Sequence, residues 1–181
     1  MESVYSGIEP VHRGVNPGVA FGSPLQGLSA YRGANFWFLV TYGLTELFQK
    51  ESDNPTLSGW GYEFTMRVPL TPEPPDWAFG VLTSLAKVTR SNQMVFVSGH
   101  RLQTGHALAG LPTRLTAVAF TIDPELGAID TPNGRLEFLL VVGITTEELE
   151  SMKATSTAAV LNELADSISL VTDPGRAPAA G

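Results

Sequence analysis

Residues 58–69 read SGWGYEFTMRVP, and their alternation decides the fold class. Tyr62, Phe64, Met66 and Val68 recur at every second position, the period of a β-strand with one buried face. Glu63, Thr65 and Arg67 therefore share the opposite face. Glu63 and Arg67 lie about 13 Å apart along such a strand, at ~3.3 Å per residue, so they cannot pair directly. Each needs a partner on a neighbouring strand, such as Thr41 or Thr121, or on a covering loop. Two readings follow: a solvated polar face, or a covered one that holds loops in place or receives a partner.

Upstream, FWFLVTY (36–42) is apolar on both faces and rich in aromatic and β-branched residues, which predicts a central strand covered on both sides. Gly43 ends it, and LTELFQKESDNPT reads as a loop or a single helical turn. Downstream, Pro69 and Pro72 close the strand of 60–68. PPDWAFGVLTSLAKVTRSN then carries Trp77, Ala78, Val81, Leu82, Leu85 and Val88 on one helical face, with proline at its start and Asn92 at its stop. MVFV (94–97) reads as a short strand leading into the irregular, glycine-rich SGHRLQTGHALAG. LTAVAFTI (115–122) alternates Val118, Phe120 and Ile122. Pro132-Asn133-Gly134 supplies a hairpin turn, with the second strand over Arg135–Val142.

The next helix has the best start signal in the chain: Thr145 and Glu148 form a capping box, with Ile144 and Leu149 placed as a hydrophobic staple. A break is expected at ATST (154–157), before a second amphipathic stretch through Ala158, Leu161, Ala165 and Ile168. These elements predict a mixed α+β fold, one central mixed β-sheet flanked by helices. Residues 1–24 read as a Gly/Pro-rich segment, 25–172 as the domain, and 173–181 as a disordered tail.

Composition narrows the function. The 181 residues carry 11 Lys plus Arg against 18 Asp plus Glu, a net charge of -7. That balance opposes a nucleic-acid backbone or an anionic membrane as ligand and suits a basic protein partner. There is no cysteine, which removes disulfides, thiolate nucleophiles and Cys-bound metals. The N-terminus has no secretory pattern and no apolar run spans a bilayer, so a cytoplasmic protein is expected.

No phosphate-binding loop and no G-x-S-x-G are present. His12, His100 and His106 lack metal-ligand spacing, and Ser98 near His100 is a sequence neighbour, not a catalytic arrangement. Among paired carboxylates, Glu147 and Glu148 serve a helix start and Asp123 precedes a Pro turn. Glu46 and Glu63 have no evident local task. No cofactor and no metal are expected.

In order and spacing, several segments resemble the suppressor of fused family: EPVH, PLQGLSAYR, FLVTYGLTELFQKE, SGWGYEFTMRV, PPDWAFGVLTSLAKV, GHRL, AVAFTIDPELGAIDTPNGRLEFLLVVGITTEELE and SLVTD. The resemblance covers about residues 9–172 and is similar to bacterial single-domain members. It implies a central sheet flanked by helices and no established catalytic activity. It implies a protein-binding module: the animal relative is a two-lobed cytoplasmic protein that sequesters transcription factors, and some bacterial relatives are proposed as immunity proteins that neutralise toxins. A second lobe is not expected here.

Under that resemblance Tyr42, Glu63, Arg67 and Asp130 are expected to be structural polar residues, with Glu63 and Arg67 tying TYGLTEL and GHRL to the sheet. The expected partner surface is the polar loops near Glu46, Glu51, Asp53 and His100, open to a basic toxin domain. Two other classes are carried. A small hydrolase or metal enzyme would need a pocket joining Glu46, Glu63 and His100. A homodimer would need broad exposed apolar area on the 36–38 strand or the Trp77 helix.

Overall fold

The continuous apolarity of 36–42 becomes a strand covered on both faces, and the sheet is built outward from it. The structure is a computed structural model describing residues 7–14, 25–110 and 112–176. Its strands are β1 (Val11–Gly14), β2 (Gly27–Arg32), β3 (Phe36–Tyr42), β4 (Leu57–Pro69), β5 (Arg101–Gln103), β6 (Leu115–Ile122), β7 (Ala128–Thr131) and β8 (Gly134–Thr145). They form one sheet in the order β1-β2-β3-β4-β8-β6-β5, with β7 paired to β8 off that path. Among the described residues only the β4–β8 pair is parallel, so the sheet is mixed. The helices are α1 (Asp76–Asn92), α2 (Thr146–Ala154) and α3 (Thr157–Ile168). No helix among the described residues is long and apolar enough to cross a membrane.

Three layers result. On one face Tyr62, Phe64, Met66 and Val68 of β4 join Leu39, Val118, Phe120, Leu139 and Val141 against Ala78, Phe79, Leu82, Leu85 and Ala86 of α1. On the other face Ala117, Ala119, Leu140, Val142 and Ile144 pack against Leu149, Met152, Val160, Leu161 and Leu164 of α2 and α3. The helix pair stops short of β3. There Phe38 and Val40 are covered by Tyr31, Phe36, Tyr42, Leu126 and Phe138, side chains from strands and from the β6–β7 turn.

The capping box forms as expected: the Glu148 amide donates to Thr145 Oγ1 and the Thr145 amide to Glu148 Oε2, at 3.2 and 2.9 Å. The break between α2 and α3 is also present, with Ser156 capping α3.

Several expectations are corrected. MVFV is not a strand: the sheet position beside β6 is taken by β5, so Met94, Val95 and Val97 are exposed. Phe96 alone turns inward, stacked on Phe120 with ring centroids 4.6 Å apart. The glycine-rich segment expected to be irregular supplies β5 itself. Strand β8 extends beyond 135–142 at both ends because β7 and β6 pair with different parts of it. The buried side of α1 is rotated from the expected stripe: Phe79, Ala86 and Thr89 are buried, while Trp77, Val81 and Val88 are only partly covered.

Within the Gly/Pro-rich segment, β1 is held by an ion pair from Arg13 to Asp76 and by the Arg13 guanidinium over the Phe79 ring. Residues 1–6 and 15–24 lie outside the described residues, as do 177–181. Residues 173–176, expected to be tail, are anchored instead. The Arg176 guanidinium pairs with Glu148, both side chains being almost wholly buried, and also donates to the Gly143 carbonyl.

Candidate functional site

The polar face of β4 is buried, which removes the solvated reading. Glu63 is 2% exposed. Its Oε1 accepts from the amides of Gly43, Leu44 and Thr45 and from Thr45 Oγ1, at 2.8 to 3.0 Å. Its Oε2 accepts from Thr41 Oγ1 at 2.6 Å. One carboxylate thus holds the whole turn that follows β3. Burial pushes its carboxyl up to about 7, and the bonds from Thr41, Thr45 and Gly43 oppose a further rise. Gly43 sits at φ +110°, and a Cβ there would lie 2.7 Å from the Gln26 amide, so only glycine lets the chain turn back over Glu63.

The rest of the face follows the same logic. Thr65 Oγ1 donates to Asp123 Oδ2 at 2.7 Å, and Asp123 Oδ1 accepts from the Glu125 and Leu126 amides. Arg67 reaches Glu125 at 2.9 Å and the Ser169 carbonyl at 3.2 Å, and its guanidinium lies over the Phe36 ring. Glu63 therefore ties down TYGLTEL, while Arg67 holds the β6–β7 turn and the end of α3. GHRL, expected to be tied down by this pair, instead leads into β5, which is held by β6. Asp123, read from sequence as a turn residue, is a buried member of this network. No local signal marks it, because β8 lies between β6 and β4 and only the assembled sheet brings Asp123 to Thr65.

The expected partner residues separate. Glu46 faces inward: it accepts from the amides of Glu51, Ser52 and Gly59 and from Lys50 Nζ. Desolvation pushes its carboxyl up, but Lys50 and those amides outweigh it and bring it down to about 2. Glu51 and Asp53 are exposed on the same loop. His100 is exposed at the start of β5, with β8 and β6 between it and Glu63 on β4. A pocket joining Glu46, Glu63 and His100 is not formed. Among the described residues no group of three His, Cys, Asp or Glu is placed to hold a metal ion. Tyr42 is half-buried, its phenol pushed upward mainly by burial and its hydroxyl 3.5 Å from that of Tyr31. Asp130 is exposed on β7 opposite Arg135, and among the described residues its side chain makes no ion pair.

Three concave places stand out. One, about 650 Å³, is a groove between α1 and β5 with the 104–110 loop. Trp77, Val81 and Val88 of α1 and Leu102 of β5 give it apolar walls. Strand β5 is an edge of the sheet. The Phe120 amide donates to the His100 carbonyl and the Thr104 amide to the Thr116 carbonyl. By the alternation of antiparallel pairing, the backbone groups of Arg101 and Gln103 point outward. A second, about 350 Å³, is lined by Leu47, Phe48 and Glu51 of the loop after β3 together with Trp60 and Arg90. A third, about 270 Å³, lies between that loop and the β7–β8 hairpin. Sequence reading put Val88 on the apolar face of α1 but gave no groove, and it read the segment carrying Leu102 as irregular, because a three-residue edge strand has too little periodicity to register.

Comparison with known proteins gives a consistent picture. The family model described as Suppressor of fused protein matches residues 22–177. The human Suppressor of fused homolog is 32% identical over 146 residues, covering 71% of this chain and 30% of the human protein, and the mouse protein gives the same values. The chain thus spans about 30% of the length of these curated relatives. Among solved structures, the Sufu–Fu complex superposes with a TM-score of 0.88 at 24% identity, covering 97% of this chain and 87% of that one. Drosophila Suppressor of Fused gives 0.87 at 24% identity, covering 97% and 48%. A suppressor of fused homologue from Neisseria gonorrhoeae FA 1090 gives 0.66 at 14% identity, covering 99% and 92%.

Proposed function

This chain belongs to the suppressor of fused family, and we propose that it is a non-enzymatic protein-binding module that takes an extended segment of its partner along β5. The observation that carries this reading is the outer edge of β5 standing beside the apolar α1 groove. An added strand would satisfy the outward amides and carbonyls of Arg101 and Gln103, and every second side chain would enter the groove over Val81 and Val88. A relative crystallised as a Sufu–Fu complex supports a protein as the class of partner. The carboxylates that an enzyme reading would use, Glu46 and Glu63, are occupied by the fold's own donors. The net charge of -7 favours a basic partner, and a toxin domain neutralised by masking is the specific form of this reading.

The test is affinity capture from native host lysate with wild type and with Gln103→Pro, which removes one outward amide and leaves the ladder to β6 intact. Capture of a protein by wild type and not by the variant, with hydrogen exchange slowed at residues 101–103 in the complex, is expected. Recovery of a small molecule or metal alone, or equal capture by both forms, counts against it.

A further inference from the structure

We propose that the cleft between the loop after β3 and the β7–β8 hairpin is a second docking site, fitted to a basic segment of a partner protein that inserts one large apolar side chain. The cleft lies on the sheet face opposite α1 and shares no lining residue with the α1–β5 groove. Its walls are Tyr42, Leu47, Phe48, Ile129, Leu136 and Phe138. Phe48 is 88% exposed, with Leu47 and Ile129 also exposed beside it.

This exposure is not slack. The Glu46 carboxylate gathers the amides of Glu51, Ser52 and Gly59, and the Glu63 carboxylate gathers those of Gly43, Leu44 and Thr45, so both ends of the loop are fixed. Asn133 Nδ2 donates to the Glu46 carbonyl at 2.8 Å and joins the loop to the hairpin. Gly59, at φ +53°, lets β4 pass against the Leu44 carbonyl, where a Cβ would collide. The loop therefore presents an aromatic ring to water on a pre-formed support, the arrangement in which a contact residue contributes most to binding.

Charge selects the occupant. Glu51 and Asp53 are exposed on the loop that carries Phe48, three and five residues beyond it, and neither has a basic partner among the described residues. Lys50, on the same loop, is turned to Glu46, Ser52 and the Leu57 carbonyl. An apolar cleft beside an acidic loop complements Lys or Arg flanking a Leu, Met, Phe or Trp. A second copy of this chain would bring a like-charged loop, with -7 on each molecule.

The experiment selects random twelve-residue peptides displayed on phage against the wild-type chain, then measures the recovered peptides by fluorescence anisotropy. Peptides with basic residues flanking one apolar residue are expected to lose ~10-fold or more in affinity with Phe48→Ser. They are expected to weaken with Ile129→Ser and with rising salt, and to be unaffected by Gln103→Pro, which separates this site from the β5 edge. Unchanged melting of Phe48→Ser, expected for so exposed a residue, shows that the loss is one of contact. The proposal is overturned if all recovered peptides ignore Phe48→Ser and Ile129→Ser. It is equally overturned if those that respond carry no basic residues, or if ultracentrifugation shows a wild-type dimer that Phe48→Ser abolishes.

Discussion

The sheet face opposite α1 is closed in two ways. Over β6 and β8 it is sealed by α2 and α3 through aliphatic contacts centred on Leu140, Val142, Leu161 and Leu164. Over β3 and β4 it is sealed by turns, and the fastening there is polar: Glu63 to the 43–45 turn, Thr65 to Asp123, Arg67 to Glu125 and the Ser169 carbonyl. Aliphatic packing tolerates substitutions of similar size. A buried carboxylate surrounded by donors does not, because each donor loses its only acceptor when the carboxylate goes. The polar half also leaves clefts between its turns, and the proposed second docking site is one of them.

The most direct way to break this contrast is Glu63→Ala. It strands three backbone amides and two hydroxyls and opens a void, so a loss of about 4 kcal/mol in urea unfolding is expected, with faster hydrogen exchange at residues 43–46. Leu164→Ala, at a fully buried site in the aliphatic half, should cost about 3 kcal/mol and leave exchange in that turn unchanged. If the two variants loosen the same amides, the halves are one cooperative unit and the contrast fails.

Acidity sharpens the comparison. Glu63 has its carboxyl raised from 4.5 to about 7, so between those values the folded state binds the extra proton. Its contribution is full below pH 4.5 and falls as pH rises through 7, by up to roughly 3 kcal/mol, a slope that Glu63→Gln should remove and Leu164→Ala should keep. Glu46, depressed to about 2, acts in the opposite sense: its contribution is present above pH 4.5 and is lost as pH falls through 2. The smallest effect belongs to Thr65→Val, which keeps the shape and removes one hydroxyl from Asp123, at about 1 to 2 kcal/mol. Unchanged melting of Thr65→Val would place that bond outside the fastening.

Local pattern was enough for the strands at 36–42 and 115–122, the hairpin turn, the capping box at Thr145 and the break before α3. Each of these rests on spacing within a few residues, and spacing is written in the chain. The alternation in 60–68 likewise established that Glu63, Thr65 and Arg67 share a face. Whether that face is wet or dry could not be read from it, because the answer lies with Gly43–Thr45, Asp123–Glu125 and Ser169, which approach only when the sheet and α3 are assembled. The same holds for Glu46, whose donors sit up to 13 residues away, and for His100, which sequence proximity to nothing could place. Short-range periodicity is set by backbone geometry, whereas the fate of a charged side chain is set by which distant donors reach it once solvent is displaced, and that is decided by tertiary structure alone.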